Sequence, residues 1–280
     1  MSEIREVLGE YPLTRDFVDF NRLNLQHYLW KEIFGYNIHP RIPYNTGGLK
    51  IADVGTGTGI WLLDISSRVH LSTELLGLDT DITQVGPKEW LPDNVSVRQW
   101  DAFTQVPADL VGKFDMVNLR LFCFIVQDDP NSLIRNLMRL LKPGGYLQWC
   151  EADVESMHIK TSSPDVSADC LKLLWQEAVP KSSRLLPSWV KGLPKAFEDE
   201  GLVAVEADWQ EGKPHTTLAM HWCNLHLYEM IADRLRPTYP QKALEMENIF
   251  RGALMQSRKG AMFAFNRVIV MGQKPDINSR

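Results

Sequence analysis

Three glycines on alternate positions follow a short apolar run near residue 50. Residues 49–59 read LKIADVGTGTG, so a predicted buried strand containing Asp53 runs into Gly55, Gly57 and Gly59. Glycine lacks a Cβ atom, so it tolerates positive φ in a sharp strand-to-helix turn and lets a ligand approach main-chain N–H groups. Such a turn opens at the C-terminal edge of a sheet, where ligands of open α/β folds bind. The stretch therefore predicts a small-molecule site.

The spacing of the glycines narrows the choice of ligand. A dinucleotide-binding turn has the pattern G-x-G-x-x-G, which would require a third glycine at the position of Ile60. No Gly-Lys-Ser/Thr follows, so a phosphate-binding Walker loop is excluded too. The pattern therefore argues against a pyrophosphate cradle. The helix that we expect to begin at residue 60 still directs its N-terminal donors at the ligand.

Two further predicted strands end in acids that suit a nucleoside. Strand 74–78 is followed by Asp79, which is placed to accept hydrogen bonds from both hydroxyls of a ribose. Strand 95–99 is followed by Asp101, which can accept from the exocyclic amine of an adenine. The neighbours of these acids at the same edge are Thr80, Ala102 and Phe103.

The elements that must position these residues form a regular series. A fourth strand, 114–119, ends at Leu119 and Arg120, and a fifth, 146–150, follows a helix and a Lys-Pro-Gly-Gly breaker. Five alternations of strand and helix predict an α/β protein with a doubly wound parallel sheet. The C-terminal ends of its strands meet at one edge, which brings the candidate residues together.

The flanking regions supply further elements. Residues 15–34 have apolar side chains at roughly helical spacing, which predicts N-terminal helices laid against the sheet. We expect a lid over 1–48, a cofactor-binding core over 49–155, and the remaining strands with inserted substrate-cover helices over 156–280. Within that last part we predict helices over 168–179, 193–200, 219–236 and 241–255, and strands over 203–209 and 261–271.

Composition excludes several classes of protein. The 280-residue chain is 44% hydrophobic and has a net charge of -5, so nucleic acid and anionic membranes are poor partners and a small-molecule substrate is expected. The four cysteines lie far apart and show no metal-ligand spacing, so we expect no metal site. Without a signal peptide or an 18-residue apolar run, the expected setting is cytoplasmic. We expect a monomer or a homodimer.

The order of these motifs resembles a known family. The runs DVGTGTG, GLDTD and LKPGG, with the Trp-Asp-Ala tip of the third strand, resemble class I S-adenosylmethionine-dependent methyltransferases. The runs RLNLQHYLW and GTGTGIW and the W-L-P-x-N-V turn are similar to fungal secondary-metabolism methyltransferases, including LaeA-like and UMTA-like proteins. The resemblance implies a Rossmann-like, seven-stranded, mostly parallel sheet and S-adenosylmethionine as the cofactor.

The resemblance also assigns roles at matching positions. The family's contacts with the cofactor fall on Asp53, Gly55, Thr56, Gly57, Gly59, Asp79, Thr80, Asp101, Ala102, Leu119 and Arg120. The residues alone place Phe103 or Ala102 beside the adenine ring, so Phe103 is also a predicted cofactor contact. Thr80 departs from the family, which usually has an aromatic or hydrophobic residue there. The fourth strand also lacks the N-P-P-Y or D-P-P-Y motif of nucleic-acid and protein amide methylases. The absence of that motif favours a natural-product or other small nucleophile, with O or N expected before S or C.

Candidate catalytic residues follow from the chemistry of methyl transfer. The sulfonium already activates the methyl group, so the protein mainly aligns the nucleophile in a dry pocket, and a base helps an oxygen or ammonium nucleophile. Glu151 just beyond the fifth strand is the first candidate for that base, and His221 is the second. For each histidine alone, packing or a surface position is the commoner role. Candidate substrate contacts are Tyr28, His158, Trp222 and His226.

Two other functions use the same sequence features. A pericyclase or cyclase would bind the same cofactor for the electrostatics of its sulfonium and transfer no methyl group. A LaeA-like regulatory protein would use the fold as a partner surface. Detection of S-adenosylhomocysteine as a product separates these alternatives from a methyltransferase.

Overall fold

The strands form one large sheet and one small one in the computed structural model, which describes residues 16–126, 129–178 and 187–276. The strands are β1 Lys50–Val54, β2 Glu74–Asp79, β3 Val95–Gln99, β4 Phe114–Arg120, β5 Leu141–Ala152, β6 His158–Thr161, β7 Val203–Gln210, β8 Ala261–Ala264 and β9 Arg267–Gln273. The helices are α1 Phe17–Phe34, α2 Ile60–Ser66, α3 Asn131–Leu140, α4 Asp169–Ala178, α5 Leu193–Asp199, α6 Pro214–Leu235 and α7 Pro240–Arg258.

The large sheet has seven strands in the order β3-β2-β1-β4-β5-β9-β7. The pairs from β3 through β5 are parallel, and β9 runs antiparallel to both β5 and β7. This confirms the predicted doubly wound, mostly parallel, seven-stranded sheet. The chain reverses its direction of strand addition between β1 and β4, and ligands of open α/β sheets bind at such a switch point.

The central strands are buried on both faces, as parallel strands covered by helices must be. In β1 the side chains of Ile51, Ala52 and Val54 are at most 1% exposed. Helices on both sides supply the cover. The short apolar runs of the sequence therefore became interior strands.

The N-terminal helix α1 has clear signals at both ends. The carboxylate of Asp16 accepts hydrogen bonds from the backbone N–H groups of Val18 and Asp19, which caps the first turn. Gly35, with φ 82°, ends the helix in the left-handed conformation. The helix thus forms where it was predicted, except that residue 15 lies outside the described residues.

The predicted closing strand 261–271 is wrong as a single element. Its first part, β8, pairs antiparallel with β6 in a separate two-stranded sheet, and only β9 joins the large sheet. The break falls at Asn266, whose backbone carbonyl accepts from Asp153 N and whose backbone N–H donates to Ser156 Oγ. Polar β6 has no apolar alternation, so the sequence pattern gave no sign of it.

Helices α6 and α7 lie between β7 and β9 in the chain, as predicted for the inserted segment. With α4 and β8 they enclose a second apolar cluster around Leu171, Tyr228 and Phe263. The other face of α6 packs against α1, where Cys223 Sγ lies 3.5 Å from the backbone carbonyl of Arg22. None of the helices in the described parts of the chain is long and apolar enough to cross a bilayer.

Candidate cofactor site

A cavity of about 670 Å³ opens at the C-terminal edge of the large sheet, beneath α1. All but two of the predicted cofactor residues line it: Asp53, Gly55, Thr56, Gly57, Asp79, Thr80, Asp101, Ala102, Phe103 and Arg120. They come from the ends of four strands that are distant in the sequence. The parallel sheet brings them together, as its topology requires.

The glycine turn after β1 depends on a missing side chain. Gly55, Gly57 and Gly59 have φ angles of 69°, 55° and 74°, in the left-handed region. A Cβ atom on Gly55 would lie 2.3 Å from Cε2 of Phe122, which packs directly over the turn. A Cβ on Gly57 would meet only Leu23 Cδ1 at 3.8 Å. Phe122 therefore fills the space beside Gly55, whereas the backbone of Gly57 remains accessible to a ligand.

The carboxylate of Asp53 fixes the start of this turn. It is buried, and its two oxygens accept from Asn118 Nδ2 at 2.7 Å and from Thr56 Oγ1 at 2.8 Å. Burial raises the pKa of Asp53 to about 6. Asn118 Oδ1 in turn accepts from Gln148 Nε2, so a chain of polar contacts crosses β1, β4 and β5.

Asp79, the predicted ribose acid, sits beside the glycine turn. Its Oδ2 accepts from the backbone N–H of Gly57 at 2.8 Å, and its Oδ1 accepts from that of Asp81 at 3.1 Å. The carboxylate therefore faces the cavity with a set orientation and with acceptor capacity left for hydroxyl groups.

The tip of β3 supplies the wall predicted for an adenine. Asp101 Oδ1 accepts from the backbone N–H of Phe103 at 3.0 Å, which forms a compact turn. Ala102 is buried, and its carbonyl accepts from Asn136 Nδ2 at the side of α3. The ring of Phe103 stays 47% exposed at the rim, so it is available to a flat ligand.

Helix α1 forms the roof, and its contacts were missed in the sequence. Leu23 and Gln26 line the cavity. Asn24 Oδ1 accepts from Thr58 Oγ1 at 2.7 Å, which ties α1 to the glycine turn. The helical spacing predicted the helix but gave no sign of which side chains would face a ligand.

Two predicted cofactor residues lie elsewhere. Leu119 is fully buried in the apolar core and does not line the cavity. Gly59 caps α2 and makes room for Val85, since a Cβ there would lie 3.1 Å from Val85 Cγ1. Both positions belong to the scaffold of the site.

Glu151 does not face the crevice, so its predicted position as a base is corrected. The side chain is fully buried and accepts three hydrogen bonds, from the backbone N–H groups of Phe122 and Ala152 and from Trp149 Nε1, at 2.8 to 3.0 Å. Burial raises the pKa of Glu151 to about 7. Glu151 thus fixes the backbone of Phe122, which lines the cavity, but Glu151 itself does not line it.

His221 does not line the cavity and lies among structural contacts. Its Nδ1 accepts from the backbone N–H of Phe263, so Nε2 carries the proton and donates to Ser257 Oγ at 2.8 Å. Ser257 Oγ itself donates to the carbonyl of Ala253. The imidazole therefore joins α6, α7 and β8, and burial lowers its pKa to about 4.

None of the four predicted substrate contacts lines the cavity. His158 pairs with Glu211, and His226 pairs with Glu229 on its own helix. Tyr28 is 52% exposed with its ring edge against His27, and Trp222 packs in the second apolar cluster beside His221. An acceptor placed in the described cavity meets other side chains.

The cavity has walls that were not predicted. They include the segment after β4, where Leu121 has φ 62°, an uncommon conformation for a residue with a side chain. The remaining unpredicted lining residues are Leu23, Gln26, Val54, Thr58, Ile60, Gln84, Trp100, Phe122, Ile125 and Asp129. In the described ranges no three His, Cys, Asp or Glu side chains are arranged to hold a metal ion.

Comparison with known proteins agrees with this geometry. Residues 51–145 match the family model described as a methyltransferase domain. Methyltransferase grgD of a Penicillium species is 35% identical over 142 residues, which cover 48% of this chain and 50% of that protein. N-methyltransferase verN of Clonostachys rogersoniana is 30% identical over 154 residues, 54% of this chain and 53% of that one. The chain spans about half the length of these curated relatives.

Two further similarities concern other kinds of protein. The secondary metabolism regulator LAE1 of Cochliobolus heterostrophus is 33% identical over 114 residues, 38% of this chain and 33% of that protein. A chain of the Haloferax volcanii complex that contains the Trm112 methyltransferase activator has a TM-score of 0.51 at 19% identity, covering 92% of this chain and 95% of that one. The latter likeness concerns the fold alone.

Residues 51–145 therefore match a methyltransferase domain, and the predicted resemblance is confirmed. Within about half of its length the chain is similar to fungal methyltransferases and to an LAE1 regulator of secondary metabolism.

Replacing Gly55 by Ala should destabilise the protein more than replacing Gly57 by Ala. Both positions have positive φ, which costs a residue with a Cβ about 1–2 kcal/mol. Only the Gly55 variant also forces Phe122 away, for which we expect about 1–3 kcal/mol more. Urea unfolding of the two variants measures the difference. Equal losses would mean that Phe122 yields without cost.

Replacing Glu151 by Gln should lower the free energy of unfolding by about 1–3 kcal/mol, because a buried donor loses its acceptor. The native carboxyl keeps its proton to about pH 7, whereas the unfolded one releases it near pH 4.5. Wild-type stability due to this group therefore falls as the pH rises through that window. The gap between wild type and variant should narrow from about pH 5 to about pH 7.5. A gap that does not change with pH contradicts this.

Proposed function

We propose that this chain transfers a methyl group from S-adenosylmethionine to an O or N atom of a small, hydrophobic secondary metabolite. The observation that carries the proposal is the cavity at the sheet edge, where the open glycine turn, Asp79 and the tip of β3 lie on one surface. The named N-methyltransferase and methyltransferase relatives support the same class of reaction. Nitrogen is the first atom to test, because verN is named an N-methyltransferase.

The residues present fit this cofactor. Gly57 leaves its backbone open to a ligand, since a Cβ there would meet only one methyl group of α1. Asp79 would take the ribose hydroxyls, Asp101 and Phe103 the adenine, and Arg120 the amino-acid end. When bound, the cofactor supplies a methyl group already activated by a positive sulfonium.

The chain's own part is to bind, orient and exclude water. Leu23 and Gln26 of α1 cover one side of the site, and Phe122 packs against the glycine turn. Exclusion of water on binding would favour in-line attack by a neutral amine or an ionised oxygen. Glu151 and His221 do not line the cavity, so the proposal gives neither the role of base.

A product assay tests the reaction. The purified chain is incubated with methyl-labelled cofactor and amine- or hydroxyl-bearing fungal metabolites, and S-adenosylhomocysteine and labelled product are measured. Release of both in equal amounts supports methyl transfer. Conversion of a metabolite without S-adenosylhomocysteine would favour the cyclase alternative. Similarity to LAE1 favours the regulatory alternative as second candidate, which expects stable co-purification of a protein partner and no turnover.

Replacing Asp79 by Ala should weaken S-adenosylhomocysteine binding by about 1–3 kcal/mol, because hydrogen bonds to a charged acceptor are lost. The matched control is Glu74→Ala, at the opposite end of the same strand, where Glu74 pairs with Lys50 on the surface. Calorimetric titration of both variants measures the effect. Equal affinity in wild type and the Asp79 variant removes the ribose role.

A further inference from the structure

Arg120 lines the cavity, yet its guanidinium has a neutral partner. Nη1 lies 3.1 Å from Nδ1 of His27 on α1. Within residues 16–126, 129–178 and 187–276 this is the one hydrogen bond of the guanidinium, and no carboxylate pairs with it. Arginine has five N–H donors and stays charged in proteins. Most of its donor capacity is therefore unused.

The direction of this hydrogen bond defines the state of His27. A guanidinium can only donate, so Nδ1 must accept and carries no proton. The proton of the neutral ring then sits on Nε2, which donates to Asp64 Oδ2 at 3.0 Å. Burial, together with the charge of Arg120, lowers the pKa of His27 to about 4, which agrees with a neutral ring.

Several hydrogen bonds also fix the orientation of the Asp64 carboxylate on α2. Its carboxylate also accepts from Lys31 Nζ at 2.8 Å, Asn37 Nδ2 at 2.6 Å and Arg68 Nε at 3.1 Å. His27 itself is fully buried. The imidazole therefore has one orientation, and with it the guanidinium that donates to it.

The negative charge of Asp53 acts on Arg120, but none of the carboxylates in the described ranges hydrogen-bonds the guanidinium. Asp53 already accepts from Asn118 and Thr56, and Asp79 accepts from the backbone of Gly57. A cation with free, oriented donors in a partly enclosed cavity is the usual receptor for a carboxylate, which it binds with two parallel hydrogen bonds. The methionine part of S-adenosylmethionine ends in such a group.

We propose that His27, held by Asp64, is a positioning residue that orients the Arg120 guanidinium for the α-carboxylate of the cofactor. The inference rests on the proposed function, because it takes the cavity as the cofactor site. It makes α1 part of that site. Binding of the carboxylate and docking of α1 on the glycine turn then stabilise each other.

Two ligands separate this role from a purely structural one. S-adenosylhomocysteine has the α-carboxylate, whereas 5′-methylthioadenosine has the same nucleoside and sulfur without the amino-acid part. Calorimetry gives the ratio of their affinities for each variant. Arg120→Gln should lower the affinity for S-adenosylhomocysteine about tenfold to hundredfold and leave that for 5′-methylthioadenosine unchanged.

The two amide substitutions of His27 test the direction of the hydrogen bond. The amide of His27→Gln reaches the place of Nε2, so it keeps the bond to Asp64 and loses the acceptor for Arg120. The amide of His27→Asn lies at the place of Nδ1 and keeps that acceptor. We expect about a tenfold loss of the affinity ratio in His27→Gln and a smaller loss, about threefold, in His27→Asn, which keeps the acceptor but loses the bond to Asp64. Glu74→Ala, which lies outside this chain of contacts, is the control and should keep the wild-type ratio.

Binding of 5′-methylthioadenosine reports that each variant is folded. An equal loss for both ligands in His27→Gln, or the same ratio in the two amide variants, would overturn the inference. Failure of the wild type to bind either ligand would instead overturn the proposed function. An independent readout is the ¹⁵N spectrum of the imidazole at neutral pH. We expect a proton on Nε2 and none on Nδ1, and the opposite tautomer contradicts the account.

Discussion

The buried carboxylate of Asp53 is the interaction on which the site depends. A carboxylate can remain in the middle of a sheet only when its oxygens are hydrogen-bonded, and here Thr56 and Asn118 do this. One contact fixes the glycine turn and the other fixes the neighbouring strand β4. Through Gln148 the same chain of contacts reaches the backbone of Asn37 and His39. One buried acid thus connects the turn, the sheet and the segment that follows α1.

The N-terminal helix forms one wall of the site. Its polar side chains contact the glycine turn, α2 and the end of β4, and its other side packs on α6. Among the described residues, none from the inserted helices α6 and α7 lines the cavity, and α6 contacts its wall through α1.

The strand-end residues could be predicted from the sequence because parallel strands end at one edge. Asp53, Asp79 and Asp101 each follow an apolar run, and topology alone brings them together. Glu151 has the same local signal, yet its side chain turns into the core, because the face of a strand residue depends on contacts with distant segments such as Phe122. From the sequence, His221 could be a base or a packing residue. Its hydrogen bonds with Ser257 and Phe263 form only in the folded chain.

The roof of the cavity could not be predicted in the same way. Helical spacing shows which residues of α1 are apolar, but His27 and Asn24 are polar residues whose partners are far away in the chain. Likewise, nothing about a leucine predicts the positive φ of Leu121. His27 pairs with Asp64 and Arg120 only because the fold brings distant segments together.

The central claim is that the sheet edge under α1 holds an adenosyl cofactor. A crystal structure of the chain with S-adenosylhomocysteine tests it most directly. The account predicts the ligand between the glycine turn and α1, with its ribose at Asp79 and its carboxylate at Arg120. A ligand bound elsewhere, or side chains filling that space in the crystals, would contradict it.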